Sequence, residues 1–150
     1  MKRQLVRDWM TPQPITIDPK TTLPDAHRLM QDSRIRRVPV VADGHVVGIV
    51  TLGDIREAGP SQASTLSIYE VHYLLSKLTV ESIMTRNPVT IAPNATIRDA
   101  ARAMLEHKIG GLPVVETTDG KLVGIITESD IFRLLAQDPQ DGSESASSAA

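Results

Sequence analysis

Val38-Pro39-Val40-Val41, a turn at Asp43-Gly44, then Val46-Val47-Gly48-Ile49-Val50-Thr51-Leu52-Gly53-Asp54 is the most informative run of the chain. Two short apolar runs joined by a Gly-containing turn read as a β-hairpin, and Thr-x-x-Asp directly after the second run reads as the capped start of a helix. The pattern returns as Leu112-Pro113-Val114-Val115, Asp119-Gly120, then Leu122-Val123-Gly124-Ile125-Ile126-Thr127-Glu128-Ser129-Asp130. A hydroxyl and a carboxylate displayed where a strand gives way to a helix are well placed to hold a ligand.

Working outward from the hairpins, the correspondence extends through both copies. Setting Met10-Thr11 on Met84-Thr85 also sets Pro14 on Pro88, Thr16-Ile17 on Thr90-Ile91, Pro19 on Pro93, Thr22 on Thr96 and Asp25-Ala26 on Asp99-Ala100. Met30 then falls on Met104, Ile35 on Ile109, and Pro39-Val40-Val41 on Pro113-Val114-Val115. After the insertion of Thr117-Thr118, Asp54 and Ile55 fall on Asp130 and Ile131. So many agreements in order mark a tandem duplication.

Each copy reads β-α-β-β-α, which places the chain in the α/β (α+β) class. Leu5 to Met10 and Val80 to Met84 read as short helical lead-ins. Ile15-Thr16-Ile17 and Val89-Thr90-Ile91 read as short strands closed by Pro19 and Pro93. Thr22-x-x-Asp25 and Thr96-x-x-Asp99 open helices by side-chain capping. Those helices carry Leu23, Ala26, Leu29 and Met30, and Ile97, Ala100, Ala101, Met104 and Leu105, at helical spacing. The continuous apolar strands of the hairpins predict burial on both faces.

The resulting division is repeat 1 at 1–57, a helical connector at 58–78, repeat 2 at 79–136 and a tail at 137–150. Ala58-Gly59-Pro60-Ser61 breaks the chain. Ser67-Ile68-Tyr69-Glu70 then reads as a capping box that opens an amphipathic helix through Val71, Leu74, Leu75 and Leu78. This helix is expected to pack on the module, with Tyr69, Tyr73 and Leu74 as core contacts rather than a partner surface. The tail, made of Asp, Gly, Ser and Ala with little else, reads as disordered.

Composition bounds what the chain can do. At 150 residues, 41% hydrophobic and a net charge of −2, it is expected to be a soluble globular protein with a real core. Neither sign of charge dominates, which argues against a nucleic-acid or anionic-membrane surface. No apolar run approaches the roughly 18 residues of a membrane span, and the N-terminus lacks a secretion signal, so the expected location is cytoplasmic. With no cysteine there is no disulfide or thiolate chemistry. His27, His45, His72 and His107 lack ligand spacing and read as surface residues, so no metal is expected. Trp9 reads as a packing or dimer-contact residue. No Walker loop, nucleophile elbow or His-Glu-x-x-His motif is present, and the chain is not expected to be an enzyme.

The repeated Met-Thr-x-x-Pro, Pro-Val-Val, Val-Gly-Ile-hydrophobic-Thr and final Thr-x-x-Asp together resemble the CBS domain, and two in tandem resemble a Bateman module. The connector from Leu66 to Val80 is similar to that of stand-alone bacterial CBS proteins of the acetoin-utilisation protein B type. The resemblance implies two repeats packed sheet to sheet about a pseudo-twofold axis, leaving two clefts, and pairing into a homodimer. It further implies a regulatory sensor of AMP, ADP, ATP or S-adenosylmethionine that acts through an effector protein on another chain. No cofactor is required; the adenosine-containing molecule is the regulatory ligand. A dimerisation scaffold with vestigial clefts is the alternative.

The same resemblance implies the binding residues. The first site would combine Thr51, Gly53 and Asp54 with Val89, Gly110, Gly111 and Leu112, and with Arg36-Arg37 reaching for phosphate. There a carboxylate can accept both ribose hydroxyls and cations can hold phosphate. Val89 and Leu112 would sandwich an adenine ring, and Gly110-Gly111 would let its edge approach the backbone. The second and weaker site would combine Thr127, Ser129 and Asp130 with Ile15 and Val38. Glycines stand there where the first site has arginines, so it would take a less charged adenosine derivative, a second nucleotide weakly, or nothing. Simpler readings stay open: the Thr-x-x-Asp pairs as plain helix caps, the glycine pair as a turn and the arginine pair as a solvated edge.

Overall fold

The computed structural model describes residues 4–59 and 67–137. In chain order the elements are α1 (Val6–Trp9), β1 (Thr11–Pro12), α2 (Leu23–Ser33), β2 (Arg37–Ala42), β3 (His45–Thr51), α3 (Leu52–Ala58) and α4 (Ile68–Lys77). A 3₁₀ turn at Val80–Ser82 follows, then β4 (Thr85–Arg86), α5 (Ile97–His107), β5 (Gly111–Val115), β6 (Leu122–Thr127) and α6 (Glu128–Gln137). The expected tail beyond residue 137 and the chain break at Pro60-Ser61 lie outside the described residues.

These elements form two compact units. The Asp54 unit comprises Pro14–Pro88 and Asp119–Leu122; the Asp130 unit comprises the described parts of Met1–Gln13, Val89–Thr118 and Val123–Ala150. Packing therefore crosses the sequence boundaries drawn along the repeats, because each lead-in leaves its own repeat. In the Asp130 unit, β1 pairs antiparallel with β6, Thr11 opposite Ile125, and the sheet runs β1-β6-β5. The Val6 N–H donates to the Ala95 carbonyl at 2.8 Å, and the Val6 side chain is fully buried with Ile97, Ala100, Met104, Leu112, Val114, Ile126 and Leu134. Trp9 packs against that cluster, while its indole N–H donates to Gln4 Oε1 at 3.0 Å.

The Asp54 unit repeats this arrangement. Its sheet runs β2-β3-β4, and the Val80 N–H donates to the Thr21 carbonyl at 2.8 Å. Val80 and Met84 join Ile17, Leu23, Ala26, Met30, Val38, Val40 and Val50 in its core.

Glycine at one position of each hairpin makes the docking possible. A Cβ at Gly48 would collide with Met84 Sδ and lie 2.8 Å from its Cγ. A Cβ at Gly124 would likewise collide with Met10 Sδ and lie 3.0 Å from the Thr11 carbonyl oxygen. The Met-Thr motif of one repeat thus lies over the Val-Gly-Ile strand of the other. The two motifs recur together because each leaves room for the other.

The hairpin of the Asp54 unit turns through Asp43 (φ 52°) and Gly44 (φ 79°), the positive pair that matches strand twist. His45 begins β3, with Nδ1 3.0 Å from the Asp43 carbonyl oxygen and Nε2 3.1 Å from that of Asp119. An antiparallel bridge from His45 to Lys121 completes the attachment of residues 119–122 to this unit.

Three expectations are corrected. The strands expected at Ile15–Ile17 and Val89–Ile91 shrink to single parallel bridges, Ile17 with Val40 and Ile91 with Val114. Prolines at 14 and 19, and at 88 and 93, bracket these segments and leave room for little ladder. Leu105, placed on the buried face by spacing, is 80% exposed.

The connector helix α4 has one half of the expected capping box, Ser67 Oγ accepting the Glu70 N–H at 3.2 Å, but Tyr69, Tyr73 and Leu74 are exposed. Its inner stripe is Val71, Leu75 and Leu78, one face of the helix, with Leu78 against the Asp54-unit core. Lys77 Nζ lies 4.3 Å above the Tyr73 ring on the outer side. Among the described residues no helix is long and apolar enough to cross a membrane.

Candidate functional site

The four Thr-x-x-Asp motifs all start helices, and their hydrogen bonds separate them. Thr22 accepts the Asp25 N–H at 3.4 Å, and Thr96 and Asp99 form a reciprocal capping box at 3.0 Å in each direction. All four of these residues lie on their helix starts as ordinary caps. The other two motifs follow central strands of the sheets and have more polar company.

In the Asp54 unit, β3 runs directly into α3. Asp54 Oδ2 accepts the Thr51 N–H at 2.8 Å, and Thr51 Oγ1 accepts the Asp54 N–H at 3.0 Å. Both residues are half-buried, and no described residue donates to Asp54 Oδ1. Strand pairing brings the arginine pair alongside. Arg37 sits opposite Thr51 in the ladder, and the Arg36 carbonyl accepts the Leu52 N–H at 2.7 Å. Arg36 is exposed, Arg37 half-buried, and Gly53 exposed with room for a Cβ, whose nearest neighbour would be Thr51 Oγ1 at 3.6 Å. A carboxylate oxygen open to a donor, a hydroxyl and two guanidinium groups on adjacent backbone suit a ligand that has both hydroxyls and an anion.

In the Asp130 unit the same backbone carries different contacts. The Glu128 N–H donates to the Gly110 carbonyl at 3.0 Å, which sets Gly110-Gly111 beside the start of α6 as Arg36-Arg37 stand beside α3. Asp130 is only 4% exposed. Its Oδ2 accepts from the Thr127 N–H at 2.9 Å and the Thr127 hydroxyl at 3.2 Å. Its Oδ1 accepts from Arg133 at 2.9 Å, an ion pair within one turn of α6. Ser129 is exposed.

Sequence reading missed Arg133. Its signal was available, since a basic residue three positions after a helix carboxylate faces it.

The remaining expected site residues are distributed between the units. Val38 is fully buried in the core of the Asp54 unit and Leu112 in that of the Asp130 unit. Their side chains are accounted for by those cores. Ile15 is 43% exposed and belongs to the Asp54 unit; Val89, partly buried against the other core, belongs to the Asp130 unit. Among the described residues no cluster of three or more His, Asp or Glu side chains could hold a metal ion.

Comparison with known proteins agrees with this architecture. The CBS domain family matches residues 6–61 and 80–137. A CBS domain-containing protein of Dictyostelium discoideum is 37% identical over 132 residues, covering 87% of this chain and 90% of its own. Other relatives are far longer: the chain spans 21% of the inosine-5'-monophosphate dehydrogenase of Korarchaeum cryptofilum, at 34% identity over 79% of this chain.

Among solved structures, a putative acetoin utilization protein from Vibrio cholerae superposes with a TM-score of 0.76 at 33% identity, covering 95% of this chain and 98% of that one. CBSX2, a CBS-pair protein of Arabidopsis thaliana, was solved in complex with AMP and superposes at 0.72 with 33% identity, covering 89% and 97%. A further CBS domain pair, in complex with 5-methylthioadenosine and S-adenosyl-L-methionine, superposes at 0.74 with 31% identity, covering 90% and 98%. Two hairpins ending in Thr-x-x-Asp, lead-ins docked on hairpin glycines and two matched segments that span most of the chain lead to one conclusion: this protein belongs to the CBS domain family, as a tandem pair.

Proposed function

We propose that the chain is a regulatory module that binds an adenosine-containing ligand, AMP, ADP, ATP or S-adenosylmethionine, and transmits the binding to an effector protein. The observation that carries this reading is the half-buried Asp54 carboxylate, whose Oδ1 has no donor among the described residues, beside Arg36-Arg37. Ribose hydroxyls would donate to the carboxylate, and the arginines would hold phosphate by charge-assisted bonds. Solved relatives in complex with AMP, or with 5-methylthioadenosine and S-adenosyl-L-methionine, support the ligand class. Val89, Gly110, Gly111 and Leu112 are the residues we assign to the adenine of this ligand. Ile15, Val38, Thr127, Ser129 and Asp130 are assigned to a second, weaker site.

The proposed module is cytoplasmic, non-catalytic and homodimeric. A ligand favours whichever arrangement of the protein it binds best, and that difference in affinity is the regulatory signal. The scaffold alternative draws on Phe132, 63% exposed, and Leu135, 57% exposed, which share a face of α6 and suit burial against another chain.

Isothermal titration with AMP, ATP and S-adenosylmethionine tests the reading. AMP or ATP is expected to bind near one per chain, and Asp54→Asn or Arg37→Ala to weaken it by about 1.5–3 kcal/mol, the range for a bond to a charged group. Heat from none of the three ligands at several temperatures would leave the scaffold reading in place.

A further inference from the structure

Arg133 stands one turn along α6 from Asp130, and the matching residue after Asp54 is Glu57. The two carboxylates therefore differ in what they can still accept. A ribose diol donates two O–H bonds, and a carboxylate offers about four acceptor positions over its two oxygens. In Asp130, Oδ2 already accepts twice from Thr127, and Oδ1 is held by the Arg133 guanidinium at 2.9 Å.

We propose that Arg133 is an internal competitor for the Asp130 carboxylate and so sets the ligand affinity of this second site. The inference rests on the reading of Asp130 as a ribose acceptor. The pair is built to exchange. The Arg133 side chain is 54% exposed, so a displaced guanidinium passes into water at low cost. Asp130 is buried, and a buried carboxylate stripped of its partner is strongly disfavoured. The guanidinium therefore leaves only as other donors arrive, and ribose hydroxyls are such donors. The Asp54 unit, with Glu57 in the corresponding place, has no such competitor on its helix.

The test uses adenosine, which has the diol and no charge, on the full chain carrying Asp54→Asn so that the first site is weakened. Adding Arg133→Gln is expected to tighten adenosine roughly two- to tenfold, between a screened ion pair and the lower end for a hydrogen bond to a charged group. Arg133→Lys, which keeps the charge but loses the fork, is expected to fall between. An arm that needs no change at Arg133 uses salt. Screening weakens the pair while leaving an uncharged ligand indifferent, so adenosine should bind more tightly as salt rises with Arg133 present and stay level in Arg133→Gln.

Adenosine binding seen only once Arg133 is replaced would support the proposal most strongly. Equal affinity with and without Arg133 and a level salt response would overturn it and leave Arg133 as a helix contact. Weaker binding in Arg133→Gln would also overturn it. If AMP binds the unmutated chain but adenosine binds none of the Asp54→Asn proteins, the competitor proposal fails while the Asp54 site stands. If the unmutated chain binds none of AMP, ATP and S-adenosylmethionine, both fail together.

Discussion

The starts of α3 and α6 are built from the same four-residue pattern, yet among the described residues one carboxylate has an oxygen with no donor and the other does not. Asp54 accepts one bond on Oδ2 and caps its helix reciprocally with Thr51. Asp130 accepts two bonds from Thr127 and one from Arg133, and is nearly inaccessible. Duplication kept the Thr-x-x-Asp helix start but not its bonds, since Thr51 accepts the Asp54 N–H whereas the Thr127 hydroxyl donates to Asp130. The neighbours three residues on and across the ladder diverged as well, Glu57 against Arg133 and Arg36-Arg37 against Gly110-Gly111. A motif therefore specifies where its hydroxyl and carboxylate stand. What it can offer a ligand depends on side chains outside the motif.

The comparison between the units can be broken most forcefully at the glycines that receive the methionines. Gly48→Ala and Gly124→Ala are each expected to cost about 1–3 kcal/mol, because a methyl there forces Met84 or Met10 aside and presses on a backbone carbonyl. Urea unfolding of the two variants measures it. A large loss at one and none at the other would show that the two docking contacts are not equivalent. The Thr hydroxyls sharpen the comparison at a smaller scale. Thr51→Ala removes the acceptor of the Asp54 N–H and is expected to cost about 0.5–2 kcal/mol, as helix-cap losses do. Thr127→Ala should cost less, since the hydroxyl only donates a second bond to an oxygen that keeps the Thr127 N–H.

The smallest effect lies at the lead-in of the Asp54 unit. Lys20 Nζ lies 2.9 Å from Glu81 Oε2, and this hydrogen bond, with the lysine's charge, holds the Glu81 carboxyl below its ordinary range. A carboxyl lowered on folding adds stability above the ordinary glutamate range, and that stability is lost as pH falls through its folded value. Both groups are well exposed, so the effect is slight. NMR titration should show the Glu81 midpoint rising in Lys20→Met; an unmoved midpoint would assign the shift to something other than the pair. The aligned position in the Asp130 unit, Asn94, cannot form such a pair.

How much was legible in advance follows from the range of the interactions involved. The hairpin turn at Asp43-Gly44, the capped helix starts and the inner stripes of α2 and α5 depend on residues a few positions apart, and spacing alone revealed them. Leu105 was misplaced because it stands beside Met104 at the margin of that stripe, where spacing no longer decides exposure. The connector misled for a related reason. Helical α4 has apolar residues on two sides, and only its packing determined that Val71, Leu75 and Leu78 turn inward while Tyr69 and Tyr73 face out.

Hydrophobic period, turn chemistry and capping are local, so the residues alone specify a duplicated β-α-β-β-α chain with four Thr-x-x-Asp helix starts. Exchange of the lead-ins between the repeats is settled by packing over long sequence distances. Met10 lies on Gly124 and Met84 on Gly48, contacts between residues far apart in the chain that either partner glycine could have offered. Tertiary packing also decides which carboxylate keeps an oxygen with no donor among the described residues. Arg133 is near Asp130 in sequence, but a long flexible cation has many partners within reach, and burial of Asp130 selects this one.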